Sequence, residues 1–288
     1  MNRVRRLLSC IRYREVLVLQ GAPAMGGVLA MGEPTLHKVA LGAVFGVANF
    51  CLVAHMWTLN DWADRHADAD DINKSLHVFT RKGVDPATML GLSLALLSAG
   101  LALFAWLTAT TFWIAIGLTL LGFLYSFPGL HAKSVALLSS VPHLAGGFLH
   151  FLLGYSLFAV VGANALRIAI LFALVFTAGH GVQEVQDCDA DRRAGVRTNA
   201  VVFGKSIVFG VTLAAFLFVY GYLSYLSALG ILPPRLGPPS LVLAAVHLYC
   251  ACQAQLAGLS FESVRRYRGR YRAFFALLGL TVVATMFF

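Results

Sequence analysis

Nine apolar stretches, separated by short polar segments, decide what this chain can fold into. They run over residues 15–32, 37–59, 87–108, 111–127, 137–161, 164–182, 206–229, 239–258 and 272–288. Each approaches the about 20 residues with which an α-helix crosses the hydrocarbon core of a bilayer. Of the 288 residues 59% are hydrophobic and only 12% are charged, whereas soluble domains carry about 25% charged residues. A water-soluble core cannot hide this much apolar surface, so lipid is the natural solvent. Inside lipid every backbone N–H and C=O must be satisfied within the chain, which a helix achieves segment by segment. The expectation is an all-α, polytopic membrane protein with nine transmembrane helices in a single domain over residues 1–288.

The charges agree. A net charge of +9 suggests nucleic acid at first sight, but the basic residues are dealt out between apolar runs. With the N-terminus in the cytoplasm, 19 Lys and Arg residues fall on the cytoplasmic side. Lys38, Arg167 and Arg235 are left on the other. That split follows the positive-inside rule and makes nucleic acid an unneeded partner. Nine spans then put the C-terminus outside. Five cysteines, with no CxxC pair among them, support neither a disulfide framework nor a zinc site.

The acidic residues obey the same geometry, since ten of the thirteen lie in two cytoplasmic segments, 60–86 and 183–205. In the first, Asn60, Asp64 and Asp68 are spaced i, i+4, i+8 and line one helical face over about 12 Å. In the second, Glu184, Asp187 and Asp191 are spaced i, i+3, i+7, again on one face. Gln183 joins Asp187 and Asp191 in an echo of the first spacing. A merely solvated helix end would scatter its charges. Oxygen ligands of this kind suit Mg²⁺, which shares its remaining positions with water and phosphate. Two such clusters facing one cavity would hold two cations, and the cations would clamp a polyphosphate. Arg65, Arg81, Lys82, Arg192, Arg193, Arg197 and Lys205 lie near enough in sequence to neutralise phosphate oxygens, although the positive-inside bias alone accounts for most of them. Lys133 is different. It is the sole cation of its short loop and follows Tyr125-Ser126-Phe127-Pro128, a turn that sets an aromatic and a cation at one rim.

These residues carry a resemblance to the UbiA superfamily of intramembrane prenyltransferases. Asn60, Asp64 and Asp68 match its N-x-x-x-D-x-x-x-D signature. Glu184, Asp187 and Asp191 stand in the register of its second Asp-rich motif, with Glu184 at the first acidic place. The run Asp191 to Thr198, then Val202-Phe203-Gly204, is similar to the phytyl- and chlorophyll-type branches. Tyr125-Ser126 to Lys133 resembles the family's Y-S-x-x-P…K loop, and Arg12 sits where an N-terminal Arg is common. There are departures. Lys74 to Phe79, with His77 near the Arg place, stands where an R-P-L segment is usual, and Val16 replaces a Pro.

The resemblance implies a helical bundle around a central cavity that opens laterally to lipid, with Mg²⁺ at its cytoplasmic end. It implies metal ligands at Asn60, Asp64, Asp68, Glu184, Asp187 and Asp191, and donor contacts from Arg12, Asn60, Arg65, Lys133 and Arg197. Asn60, Asp64, Asp68, Asp187, Asp191, Tyr125 and Lys133 form the catalytic set. The activity expected is transfer of a prenyl group from an isoprenoid diphosphate to a lipophilic acceptor, an aromatic one being favoured. Terpene cyclisation without acceptor needs the same metal clamp and stays open, because the R-P-L segment is missing. A cation transporter ranks third, since its acids would lie mid-span rather than at span ends. Tyr125 and Trp57 are candidates for the π-rich wall that a carbocation needs. His180, four residues before Glu184, reads best as a hydrogen-bonded interior histidine.

Overall fold

The computed structural model describes residues 3–70, 75, 78–127 and 132–287, and among them it contains helices and turns but no strand. The helices are α1 (Arg3–Leu8), α2 (Tyr13–Leu19), α3 (Gly21–Met31), α4 (Leu36–Asp70), α5 (Pro86–Leu107) and α6 (Ala109–Ser126). They continue with α7 (Val141–Tyr155), α8 (Ala163–Arg193), α9 (Asn199–Phe203), α10 (Lys205–Ala228), α11 (Gly237–Leu256) and α12 (Phe261–Phe287). Among the described residues, six segments are long and apolar enough to cross a membrane. These are Leu36–His66, Pro86–Leu107, Ala109–Ser126, Ala163–Arg193, Lys205–Ala228 and Pro234–Leu256. Many large apolar side chains on them face outward, among them Trp113, Val211, Phe218, Leu241 and Val242. Such surface belongs in lipid, and the chain is an integral, multi-pass membrane protein.

The other three expected spans are helical as well, but differently from expectation. Residues 15–32 divide at Gln20 into α2 and α3. Pro23 has no N–H to return to the Leu19 carbonyl, so the helical ladder is interrupted there. The Gln20 side chain is held instead by buried Asn49 of α4, whose Nδ2 donates to Gln20 Oε1 at 2.7 Å. Residues 137–161 yield only the 15 residues of α7, because the 3₁₀ turn Leu138–Ser140 occupies the start and the helix ends at Tyr155. Pro142 at its second position fits a helix start and not an interior. The last expected span forms the C-terminal part of α12, behind an arginine-rich first half.

Contacts divide the chain into two compact units, residues 1–132 with 149–160, and residues 133–148 with 161–288. The first is centred on Phe45, Ala48 and Leu52 of α4, Phe104 of α5, Leu118 of α6 and Leu153 of α7. Gly154 of α7 touches the Pro23 backbone, where a Cβ would collide with the carbonyl. Caps set the helix ends. The Asp85 carboxylate accepts from Thr88 N at 2.8 Å with Pro86 next in the chain, and Thr108 Oγ1 accepts from Thr111 N at 3.0 Å. The hydrogen bonds from Thr88 also hold the Asp85 carboxyl below its ordinary pKa.

The second unit packs α8, α10, α11 and α12 around Val182, Val185, Phe209, Phe216, Val264 and Tyr267. Inside it, His247 is fully buried. Its two ring nitrogens lie 3.0 Å from Tyr220 Oη and 2.6 Å from Tyr267 Oη, so both polar ends are satisfied within the helices. Two long helices place the candidate site. At 35 and 31 residues, α4 and α8 run roughly 52 and 46 Å, well beyond a hydrocarbon core of about 30 Å. Both acidic motifs are therefore continuous with their spans, on helix rather than on loop.

Candidate active site

In the first unit the motif residues Asn60, Asp64 and Asp68 are all half-buried near the C-terminal end of α4. Asn60 Oδ1 accepts from Ser126 Oγ at 3.2 Å, which ties the motif to the last turn of α6. Tyr125 is half-buried beside it. Arg65 turns back on its own helix, donating to the Trp62 carbonyl at 2.8 Å with its guanidinium 5.3 Å from the Trp62 ring centre.

Asp61 is a residue the motif spacing passes over. Arg12 grips it with both arms of its guanidinium, Nε to Oδ2 at 3.1 Å and the terminal nitrogen to Oδ1 at 2.5 Å. The same terminal nitrogen lies 3.7 Å from Asp68 Oδ2. The guanidinium carbon stands 5.2 Å from the Trp57 ring centre. Burial by itself lowers the pKa of Arg12, but the Asp61 and Asp68 carboxylates outweigh it and raise the value, so the group stays charged. Trp57, Asp61 and Asp68 are spaced i, i+4, i+11, a second face that shares Asp68 with the first. That overlap was readable in the chain, yet only the approach of Arg12 gives it meaning.

In the second unit the acids are more enclosed. Glu184 and Asp187 are buried, Asp191 is half-buried, and Asp189 faces out with Lys205 Nζ at 2.7 Å. Gln183 Nε2 donates to Asp187 Oδ2 at 3.3 Å, across one turn as the spacing implied. Glu184 Oε1 collects three neighbours: Ser139 Oγ at 2.8 Å, Asn199 Nδ2 at 3.2 Å and His180 Nε2 at 3.0 Å. His180 is thus interior, as expected, with its Nε2 set against the Glu184 carboxylate and its ring stacked on His143, centroids 3.7 Å apart. Lys133 is half-buried in the Ala132–Ser134 turn, and Arg197 is exposed between α8 and α9. His77 lies outside the described residues.

Ser139, Asn199 and His143 were invisible to motif reasoning. Nothing marks them in the sequence, since their importance comes from contact with Glu184 or His180 across tens of residues. Leu137, in the same loop, has φ 66 and ψ −46, close to the rare classic γ-turn and costing about 1–3 kcal/mol.

Among the described residues no three His, Cys, Asp or Glu side chains converge closely enough to form a metal cage. Asp61 is committed to Arg12, and Glu184 Oε1 to its network. The donors do suit a hard cation. The motif side chains offer oxygen ligands, and among the described residues Glu184 Oε2 is buried with no hydrogen-bond partner. An orphaned carboxylate oxygen of this kind is a site where a cation or its water belongs.

The model of the UbiA prenyltransferase family matches residues 21–286. The chain belongs to that family. It is 28% identical to the digeranylgeranylglyceryl phosphate synthase of Natronomonas pharaonis over 217 residues, 71% of each protein. It is 27% identical to the 4-hydroxybenzoate octaprenyltransferase of Psychrobacter arcticus over 290 aligned positions, covering 92% of this chain and 88% of that one. In three dimensions it is similar to a UbiA homolog from Archaeoglobus fulgidus bound to GPP and Mg²⁺, with a TM-score of 0.76 and 18% identity over 97% and 99% of the two chains. The expected enzyme class stands: this UbiA family member is a prenyltransferase.

Proposed function

We propose that the chain catalyses Mg²⁺-dependent transfer of a prenyl group from an isoprenoid diphosphate to a lipophilic acceptor held in the membrane, an aromatic acceptor being favoured. The observation that carries this is where the acids sit. Asp68 and Asp191 lie in the last turns of α4 and α8, where the helix carbonyls already concentrate negative charge. Carboxylates gathered at such ends repel one another and their own helices. A bound cation relieves that repulsion.

In this reading Asn60, Asp64 and Asp68 hold one cation and Glu184, Asp187 and Asp191 another, and the active end faces the cytoplasm of a nine-span bundle with a central cavity. When bound, Mg²⁺ neutralises the charge that grows on the leaving diphosphate. Arg12, Arg65, Lys133 and Arg197 add fixed positive charge around the same oxygens, where preorganised cations are most effective. As the allylic C–O bond breaks, its electron pair leaves with the diphosphate, and the acceptor's nucleophilic atom closes the new bond and releases a proton. The rings of Tyr125 and Trp57 offer π-faces that stabilise the allylic cation and keep water from it.

Purified protein with Mg²⁺ and geranyl, farnesyl or geranylgeranyl diphosphate, with and without candidate acceptors, tests the reading. Prenylated acceptor and released diphosphate are expected. A cyclic hydrocarbon formed without acceptor assigns the chain to terpene cyclisation, and no diphosphate release from any donor overturns both. For sidedness, a cysteine at Ser75 in a cysteine-free background should be labelled from the cytoplasmic face, and labelling from the outer face alone would refute the orientation.

A further inference from the structure

Asn199 belongs to neither acidic motif, yet its amide joins one of them to the loop that carries Lys133. The residue is only 7% exposed. Its Nδ2 carries two hydrogens and faces three acceptors: Ser139 Oγ at 3.0 Å, Ser140 Oγ at 3.2 Å and Glu184 Oε1 at 3.2 Å. Its Oδ1 accepts the Leu137 backbone N–H at 2.7 Å. Ser139 Oγ completes the ring by donating to Glu184 Oε1 at 2.8 Å. One side chain thus fixes positions 137, 139 and 140 of the loop and one oxygen of the second motif.

The loop does not take this shape by itself. Leu137 is one of two non-glycine residues with positive φ among those described, and its side chain is 68% exposed. Apolar burial therefore does not hold the turn. The hydrogen bond from Leu137 N to Asn199 does, and strained backbone survives only where its surroundings over-determine it. Four residues before Leu137 stands Lys133, itself in the 3₁₀ turn Ala132–Ser134.

We infer that Asn199 is a positioning residue for the donor diphosphate: it registers the 132–140 loop against Glu184 and so sets where the Lys133 ammonium is presented. This rests on the proposed reading in which Lys133 contacts the diphosphate. A flexible, point-like cation gains most from such a clamp, because its own stem fixes no geometry.

Equilibrium binding of geranylgeranyl diphosphate in the presence of Mg²⁺ provides the test, using full-length wild type, Lys133→Ala, Asn199→Ala and the double variant in nanodiscs. Lys133→Ala should weaken binding roughly ten- to hundred-fold, and Asn199→Ala should weaken it less. If Asn199 acts through Lys133, the double variant binds no worse than Lys133→Ala alone. Losses that multiply in the double variant, or an Asn199→Ala protein with lower melting temperature but unchanged affinity, overturn the inference. If Lys133→Ala leaves affinity unchanged, the underlying assignment of Lys133 fails and takes the inference with it. Should Asn199→Ala not fold, Asn199→Ser replaces it. That variant adds no charge beside Glu184, is too short to span Leu137 N and Glu184 together, and is expected to weaken binding in the same manner.

Discussion

The ends of α4 and α8 carry the same kind of acidic signature in two different settings. At α4 the motif is half-buried, and its conspicuous fastening is a charge pair, Arg12 on Asp61, with Trp57 beneath. At α8 the equivalent Glu184 is 3% exposed and is fastened by a hydroxyl, an amide and an imidazole. With Arg12 37% and Asp61 14% exposed, this pair is reached in part by solvent and salt. Buried polar networks are costly to leave half-made. The comparison teaches that the same signature is fastened mainly by charge at α4 and by a buried polar network at α8.

The strongest way to break this contrast is to remove a carboxylate from each motif. Asp64→Ala and Asp191→Ala should both abolish turnover while leaving thermal unfolding in detergent nearly unchanged. Chelation of the wild type should do the same reversibly, with Mg²⁺ restoring activity. Turnover that survives chelation would end the two-metal account.

Next come the neutral and cationic partners of the diphosphate. Asn60→Ala and Lys133→Ala should each raise the donor KM or lower kcat by roughly ten- to hundred-fold, the worth of one charge-assisted hydrogen bond. Steady-state kinetics with donor and acceptor varied in turn decide this, because the acceptor KM should hardly move. A defect confined to the acceptor would place these residues at the wrong end of the cavity.

Stability separates the two regions most directly. Glu184→Ala leaves Ser139, Asn199 and His180 without their shared oxygen and should cost at least about 1–3 kcal/mol in unfolding free energy. Asp61→Ala should cost less, and its cost should shrink as salt is raised, which that of Glu184→Ala should not. Equal salt dependence in the two variants would erase the distinction between the motifs.

The smallest effect is expected from Arg12→Lys. The charge remains while the flat two-armed grip on Asp61 and the Trp57 ring contact are lost. About 0.5–1 kcal/mol is at stake, or roughly two- to five-fold in donor KM. No change at all would show that the charge alone matters at this position.

How much of this was legible in the chain depends on the range of the interaction that decides it. Apolar runs of about 20 residues were enough to specify helices in lipid, because the bilayer leaves an isolated segment no other way to satisfy its backbone. Spacings within one turn or two were legible for the same reason: Asn60, Asp64 and Asp68 share a face of α4, and Gln183 does reach Asp187. The breaks at Gln20 and before Val141 had their cause in plain view, in Pro23 and Pro142, but hydropathy alone smoothed over them. What the tertiary structure decided lies at long separation. Arg12 meets Asp61 across 49 residues, Ser139 meets Glu184 across 45, and Asn199 meets Ser139 across 60. No local preference encodes such meetings. They follow from how helices pack, and packing assigns each polar group the neighbour that costs least to bury beside it.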